Sequence, residues 1–180
     1  PTANTVQEDV AVDDSGQLQA TGTLSIADVD ENESTFKTTV DSESGNIGSW
    51  TLSENGDYSY TVDNTAVQSL SAGEERTDRF TVESLDGTTR EISFVITGTN
   101  DDAVIGEPDV NAVQEDSAVN GDGELSASGT LSISDVDEGE AVFKTDVVSA
   151  DGNLGALTLA GNGDYSYQVD NTAVQSLGEG

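Results

Sequence analysis

The chain has 180 residues, of which 36 are acidic and only 5 are basic, so its formal net charge is −31. Such a charge excludes ordinary binding to nucleic acids or anionic membranes, because both are negatively charged themselves. The absence of cysteine and histidine excludes disulfide bonds, cysteine-based zinc sites and the usual serine triad. No apolar run is long enough for a membrane span and no signal peptide is recognisable, and because the chain begins at Pro1 we expect it to be a segment of a longer protein.

An internal repeat organises the sequence. Residues 1–73 align with 108–180 at a constant offset of 107, without a gap, and 47 of these 73 positions are identical. The segment 74–107 has no second copy. The sequence therefore predicts a first domain over 1–101, a linker over 102–107 and a second domain over 108–180 that lacks the last two strands of the first.

In chain order, most segments between turn signals alternate apolar and polar residues, which is typical of β-strands. The pattern predicts strands near 5–12, 17–27, 34–41, 47–53, 57–63, 77–85 and 88–98, with a short helical turn over 64–70. Asn55-Gly56 and Asp86-Gly87 predict hairpin turns, and Trp50 is predicted to fill the core. Because seven short strands in about 100 residues are typical of a β-sandwich, we expect an all-β protein of tandem immunoglobulin-like or cadherin-like sandwiches, the second incomplete.

Acidic residues concentrate at one turn in each copy. The sequences "GTLSIADVDENE" at 22–33 and "GTLSISDVDEGE" at 129–140 run from a predicted strand into several acids without a lysine or arginine. Oxygen ligands on alternate residues can surround calcium, which takes about six to eight oxygens; a solvated turn is the alternative. We expect Glu115-Asp116 and the acids of "GTNDDA" to converge with the second turn at the junction of the repeats, where a metal would convert their repulsion into coordination.

Taken together, these motifs resemble the VCBS-type repeat of bacterial RTX adhesins. The resemblance rests on "VQED", "GTLSISDVDEGE", "NGDYSYQVDN", "VQSL" and "TDRFTVESLDGTTREISFVITGTND", and it covers essentially the whole chain. The "ND" junction is also similar to the calcium-binding linker of cadherins. The resemblance implies an extracellular, calcium-bound stalk module of a bacterial surface adhesin, exported by type I secretion.

The same resemblance implies calcium ligands. The candidates at the junction are Asn100, Asp101, Glu115, Asp116, Asp135 and Asp137, and the candidates in the first copy are Glu8, Asp9, Asp28 and Asp30, with Asn4 as a further guess. The chain departs from the family pattern in lacking a proline soon after "ND". The two copies also differ, because Gly139 is replaced by Asn32 in the first.

Several residues have other interpretations. A general excess of acids keeps proteins soluble in brine, and we attribute scattered acids such as Glu43 to that effect. Asp63 and Asn64 are expected to cap the turn that follows them, and Asp78 is left open as a functional residue. The two matched lysines, Lys37 and Lys144, are predicted to be exposed strand residues.

Function and partners follow from these expectations. Paired carboxylates can hydrolyse glycosides, but every acid pair here lies at the end of a repeat rather than in a cleft, so we expect no enzyme. The favoured function is a spacer whose linkers to neighbouring repeats are made rigid by calcium. The alternative is a sugar- or protein-binding adhesive module that uses the sandwich loops.

The second copy lacks counterparts of the strands predicted at 77–85 and 88–98, which would leave strand edges and half a core exposed. Three interpretations are open for it. The copy is flexible and incomplete, or its remaining residues belong to a longer chain, or strands are exchanged so that the hairpin of one chain completes the second repeat of another.

Overall fold

The computed structural model describes residues 1, 3–30 and 33–177, and it divides the chain into two compact units. The first unit is Pro1–Asp101 and the second is Asp102–Gly180. Regular structure in both is almost entirely β-strand, so the all-β prediction is confirmed. Asn32 lies outside the described residues, as do Gly178, Glu179 and Gly180 at the end of the second repeat.

The first unit is a sandwich of two sheets. One sheet has four strands in the order β1-β7-β6-β3 and the other has three in the order β2-β5-β4. The strands are β1 (Thr5–Gln7), β2 (Gln17–Thr23), β3 (Asp41–Ser42), β4 (Ser49–Leu52), β5 (Asp57–Asp63), β6 (Glu75–Glu83) and β7 (Thr89–Thr97), and a 3₁₀ helix spans Asn64–Ala66. Strand β1 runs parallel to β7, whereas every other pair in this unit is antiparallel.

An aromatic cluster holds the two sheets of the first unit together. Trp50 of β4 lies 5.5 Å from Phe80 and 5.3 Å from Phe94, measured between ring centroids. Tyr60 of β5 stacks on Phe94 at 4.4 Å with the rings almost parallel. Because Phe80 and Phe94 belong to the opposite sheet, these contacts form the centre of the core. Trp50 therefore fills the core, as predicted.

Three predicted strands are clearly shorter than the sequence suggested. The strand predicted at 17–27 ends at Thr23. The strand predicted at 5–12 ends at Gln7, because Asp9 and Ala11 take positive φ angles of 59° and 56° and turn the chain away. The strand predicted at 34–41 is reduced to β3 and a single bridge at Phe36. The Phe36 amide donates to Glu54 O while the next amide donates to Glu83 O, so this segment passes between the two sheets and forms no ladder.

The two lysines also differ from expectation, since neither lies in a strand. Lys37 is half-buried and its Nζ lies 2.6 Å from the Glu83 carboxylate, whereas Lys144 is exposed. The predicted cap is confirmed for Asp63, whose carboxylate accepts a hydrogen bond from Thr65 N. It is wrong for Asn64, whose side chain bonds to Asp9 instead. Hydrogen bonds from the Thr65 hydroxyl and amide lower the pKa of Asp63.

The second unit contains a three-stranded sheet in the order β11-β12-β9 and a two-stranded antiparallel sheet of β8 and β10. Its elements are β8 (Val104–Ile105), β9 (Glu124–Thr130), β10 (Ile133–Ser134), β11 (Ala156–Leu159), β12 (Asp164–Asp170) and the short helix α1 (Asn171–Val174). The larger sheet corresponds to β2-β5-β4 of the first unit. Strand β8 lies within 102–107, so part of the segment predicted as a linker is paired.

Within the described part of the chain, no helix combines the length and apolar character that a membrane crossing requires.

Candidate metal centre

Three acidic side chains meet in the loop that follows β2. One carboxylate oxygen from each of Asp28, Asp30 and Glu33 lies within 4.8 Å of the other two. Calcium–oxygen distances are about 2.3–2.6 Å, so ligands on opposite sides of one ion are about 5 Å apart. The three oxygens are therefore close enough to share an ion. Oxygen-only donors are also the ligands that calcium prefers.

The backbone of this loop is fixed by local hydrogen bonds. Asp30 N donates to the Asp28 carboxylate at 2.8 Å, and Asp28 N donates to Ser34 Oγ at 2.9 Å. Glu33 N donates to Asp30 O at 3.4 Å, which links the third acid to the second. Because Asp28 and Glu33 are half-buried and Asp30 is exposed, an ion held here would retain access to water.

The equivalent loop of the second unit folds in the same way. Asp137 N donates to the Asp135 carboxylate at 3.0 Å, and Glu140 N donates to Asp137 O at 3.4 Å. The environment differs, because the Asp137 side chain is only 2% exposed. Across residues 1, 3–30 and 33–177, no second group of three acids meets the distance that Asp28, Asp30 and Glu33 meet.

The second acidic loop lies beside the start of its unit. Strands β8 and β10 are antiparallel, with Val104 opposite Ser134. The residues that precede Val104 and those that follow Ser134 are therefore on the same side, which brings Asp102 toward Asp135. Of the predicted ligands in "GTNDDA", Asn100 and Asp101 are the last residues of the first unit, and Asn100 Nδ2 donates to Asp101 O at 2.5 Å.

The remaining predicted ligands of the first unit lie in a different network. Glu8 is fully buried, and its carboxylate accepts hydrogen bonds from Gln68 Nε2 at 2.8 Å and from Thr99 N at 2.9 Å. Asp9 accepts from Asn64 Nδ2 at 2.7 Å and from the same Gln68 amide at 3.1 Å. These bonds connect the end of β1 to the turn after β5.

Asn4 forms hydrogen bonds with strand β7 and does not belong to the acidic loop. Its carbonyl accepts from Val95 N at 2.9 Å and its side chain donates to Ser93 O at 3.3 Å.

Glu8 and Asp9 do not converge with Asp28 and Asp30 in the first unit, so that part of the prediction is wrong. Strand β2 begins with Gln17 opposite Asp63 and ends with Thr23 opposite Asp57. Glu8 and Asp9 lie at the first of these ends, whereas Asp28 and Asp30 lie beyond the second. The expectation placed Glu8 at the start of the first strand, but β1 has already ended at Gln7.

The same separation holds in the second unit. Asp116 accepts a hydrogen bond from Asn171 Nδ2 at 2.9 Å, at the end of the sheet where Asp170 pairs with Glu124. Asp135 and Asp137 follow the opposite end of β9. Glu115 lies next to Asp116, and its buried Oε2 atom has no hydrogen-bond partner among the described residues.

Sequence reasoning missed Glu33 as a candidate ligand. A signal was available, because the glutamate recurs as Glu140 in the second copy, five positions after the first aspartate of each loop. Asp78, left open as a functional residue, is a buried acceptor for backbone amides of the first unit.

No protein-family model and no curated protein matches the chain. Among solved structures, the chain is similar to one described as a Ca²⁺-stabilized adhesin that helps an Antarctic bacterium reach out and bind ice, with 19% sequence identity and a TM-score of 0.30. The match covers 94% of this chain but 39% of that one, so the chain spans well under half of its length. A similarity of this size carries no functional argument.

Proposed function

We propose that the chain is a calcium-binding stalk segment of an extracellular bacterial adhesin, which spaces an adhesive part of the parent protein from the cell. The observation that carries the proposal is the Asp28, Asp30 and Glu33 group, whose oxygens approach one another as ligands of one hard cation would. Without a cation, three carboxylates at this distance repel each other. The VCBS-type resemblance supplies the adhesin context, export by type I secretion and a role in biofilms.

The repetition of the acidic loop favours a structural role over catalysis. Both copies keep the hydrogen bond from the second aspartate amide to the first aspartate carboxylate, at an offset of 107 residues. A spacer gains length from each added repeat, and each repeat then needs its own stabilising ion. In this proposal Asp135 and Asp137 hold a further ion within the second unit, as Asp28 and Asp30 do in the first.

The alternative of a sugar- or protein-binding module has less support. Such sites commonly use exposed aromatic side chains, but Trp50, Tyr58 and Tyr60 are buried in the first unit. The partners that we propose are neighbouring repeats of the parent chain.

Calorimetric titration of the full chain with calcium tests the proposal. Extracellular calcium sites have dissociation constants of roughly 10⁻⁴–10⁻³ M, and we expect binding in that range. The triple variant Asp28→Asn/Asp30→Asn/Glu33→Gln should bind at the first-unit site at least about tenfold more weakly, because it removes the three charges that attract the ion. Asp135→Asn/Asp137→Asn tests the second loop in the same way.

The matched control is Asp41→Asn/Glu43→Gln/Asp57→Asn, which removes three exposed acids of the first unit outside the loop. It should leave the site-specific heat unchanged, whereas a general effect of net charge would weaken binding equally in both triple variants. Thermal unfolding with calcium, with magnesium and with sodium chloride at equal ionic strength separates coordination from charge screening. Absence of binding at millimolar calcium, or binding that survives the loop variants, would contradict the proposal.

A further inference from the structure

The larger sheet of the second unit has an apolar face that is much more exposed than its counterpart in the first unit. Leu157 is 37% exposed, whereas Trp50, at the equivalent position, is 7% exposed. Leu154 is 55% exposed although the equivalent Ile47 packs against the core of the first unit. This face borders a groove of about 710 Å³, lined in part by Val113, Ala127, Leu131, Leu157, Tyr165 and Tyr167.

The first unit shows what covers the equivalent face there. The hairpin of β6 and β7 places Phe80 and Phe94 against Trp50 and Tyr60. The closest of these contacts is the stacking of Phe94 on Tyr60, with centroids 4.4 Å apart and planes 5° from parallel. Tyr60 is fully buried by this arrangement, whereas its equivalent, Tyr167, is only half-buried. The covering element is thus a hairpin with aromatic residues on its inner side.

Hydrogen bonds as well as apolar contacts hold the hairpin against the opposite sheet. In the first unit, Asp78 of β6 accepts hydrogen bonds from Ile47 N, Gly48 N and Tyr60 Oη at 3.2, 2.6 and 2.8 Å. The second unit retains all three donors, as Leu154 N, Gly155 N and Tyr167 Oη. Among its described residues no carboxylate takes the place of Asp78 at these donors.

Two charged groups also have a partner on or next to the hairpin in the first unit and no such partner among the described residues of the second. Lys37 pairs with Glu83 of β6 at 2.6 Å, whereas the equivalent Lys144 forms no ion pair within the described part of the chain. Glu8 Oε2 accepts from Thr99 N, just after β7, at 2.9 Å. The equivalent atom, Glu115 Oε2, is buried and finds no partner among the described residues. Among its described residues, the second unit therefore has a cation, three donors and an acceptor whose counterparts in the first unit all bind β6 or the segment just after β7.

We propose that the exposed face of the second unit is a docking site for a β-hairpin with the chemistry of residues 74–100. Its Phe94 would stack on Tyr167, its Asp78 would bind the Leu154 and Gly155 amides, and its Thr99 amide would bind Glu115. In the first unit the hairpin also pairs with β3 and β1. The equivalent segments 148–149 and 112–114 are not strands in the second unit, and docking would make them so.

Titration of the full chain with a synthetic peptide of residues 74–100 tests this inference. We expect one peptide per chain, because the first unit already contains its own hairpin. Hydrogen exchange should slow at 112–114, 148–149 and 154–155 and stay unchanged in 1–101. Peptides with Asp78→Ala or Phe94→Ala should bind at least about tenfold more weakly, since a buried hydrogen bond to a charged group or a buried aromatic contact is lost. An Arg90→Ala peptide, altered at an exposed position of β7, is the matched control.

A second measurement applies if the free peptide aggregates. The chain is extended after Gly180 by residues 74–101, which continue the repeat at the aligned position. We expect residues 108–180 to unfold at a higher temperature in the extended chain, and Asp78→Ala in the appended copy to abolish that shift.

The inference is overturned if all four peptides bind equally well. If no peptide binds, it is overturned when the extension also leaves the unfolding temperature of the second unit unchanged. It is also overturned if the chain forms a concentration-dependent dimer that the peptide does not dissociate, because the face would then belong to a second copy. No calcium is required in any of these experiments, so their outcome is independent of the proposed metal site.

Discussion

Asp78 is a fully buried carboxylate on β6 that accepts hydrogen bonds from residues on the opposite side of the sandwich. It binds two successive amides, Ile47 N and Gly48 N, and the hydroxyl of Tyr60. Glycine is needed at position 48, because a Cβ atom there would lie 2.4 Å from the Tyr60 ring. One side chain thus joins β6 to the segment that leads into β4 and to β5.

Replacing Asp78 by alanine should destabilise the first unit by about 3 kcal/mol or more. The change leaves one buried donor, the Tyr60 hydroxyl, and two partly buried amides without an acceptor, and each unsatisfied group of this kind costs about 1–3 kcal/mol. Urea unfolding followed by the fluorescence of Trp50 measures the loss. The control Glu43→Ala removes the same charge from an exposed residue and should change the free energy of unfolding by less than about 0.5 kcal/mol. Similar losses in both variants would contradict this account.

Tyr60 should make the stability of the first unit depend on alkaline pH. Burial raises the pKa of Tyr60 above its ordinary value of about 10, and the hydrogen bond to Asp78 adds to the shift. Above pH ~10 the unfolded chain releases this proton while the folded chain keeps it. The contribution is therefore fully present below pH ~10 and falls as the pH rises, by up to about 1.4 kcal/mol per pH unit.

Urea unfolding at a series of alkaline pH values checks this expectation. The variant Tyr60→Phe should be less stable at neutral pH, because Asp78 loses a donor, but its stability should decline less steeply above pH ~10. The equivalent change in the second unit, Tyr167→Phe, is the control and should preserve the steep decline of the first unit. Parallel curves for the native chain and Tyr60→Phe would show that another group is responsible.

At the level of elements, the hairpin turns depend on glycine in a way that the dipeptides only partly predicted. In the β4–β5 turn Gly56 has a φ of +93° and Asn55 does not have a positive φ. Gly56 N donates to Ser53 O at 3.0 Å, and Gly56 O accepts from Leu24 N at 2.8 Å. The turn therefore also holds the chain that leaves β2 on its way to the acidic loop.

Gly56→Ala should be much more damaging than Gly16→Ala. Both glycines have positive φ, which costs an L-residue about 1–2 kcal/mol. A Cβ atom at Gly56 would also lie 2.2 Å from Leu24 O, whereas one at Gly16 would meet no atom within 4 Å. We expect a loss of at least about 3 kcal/mol for the former and about 1 kcal/mol for the latter, measured by thermal or urea unfolding. Equal losses would mean that the contact with Leu24 relaxes freely.

How far the sequence predicts these elements depends on how local their determinants are. Strands β5, β6 and β7 alternate cleanly because one face of each packs against the aromatic core, and they form where predicted. The end of β1 was missed because its turn depends on a hydrogen bond from Asp9 N to Asn64, 55 residues away. The segment around Phe36 was misassigned because its neighbouring amides bond to different sheets.

The candidate site was likewise predictable where its residues are close in sequence, and not where they come from distant segments. Asp28 and Asp30 are two positions apart in a local motif, and the structure brings them together. Their expected association with Glu8 depended on the direction in which β2 carries the chain. That direction separates the two groups by the length of a strand, which no short motif records.

For the whole molecule, the two units should unfold separately. Their repeated sequences form a closed aromatic core in the first unit, whereas among the described residues of the second the buried cluster consists of Leu125, Val169 and Val174. Because burial of apolar area dominates stability, we expect the second unit to unfold at a lower temperature and urea concentration. The chain has one tryptophan, Trp50, which reports the first unit alone, whereas circular dichroism reports both. The two signals should have different midpoints, and coincident transitions would contradict this expectation.

The parallel pairing of β1 with β7 determines how the first unit would respond to a pulling force. The first and last strands of the unit are neighbours that run in the same direction, with Thr5 opposite Val95 and Gln7 opposite Thr97. Tension applied to the two ends of the unit would slide these strands past each other, so their hydrogen bonds would be loaded together in shear. In an antiparallel pair with both ends at one edge, the bonds would open one after another. The first unit is therefore connected in the geometry that resists extension, and its mechanical resistance would depend on the short strand that begins at Thr5.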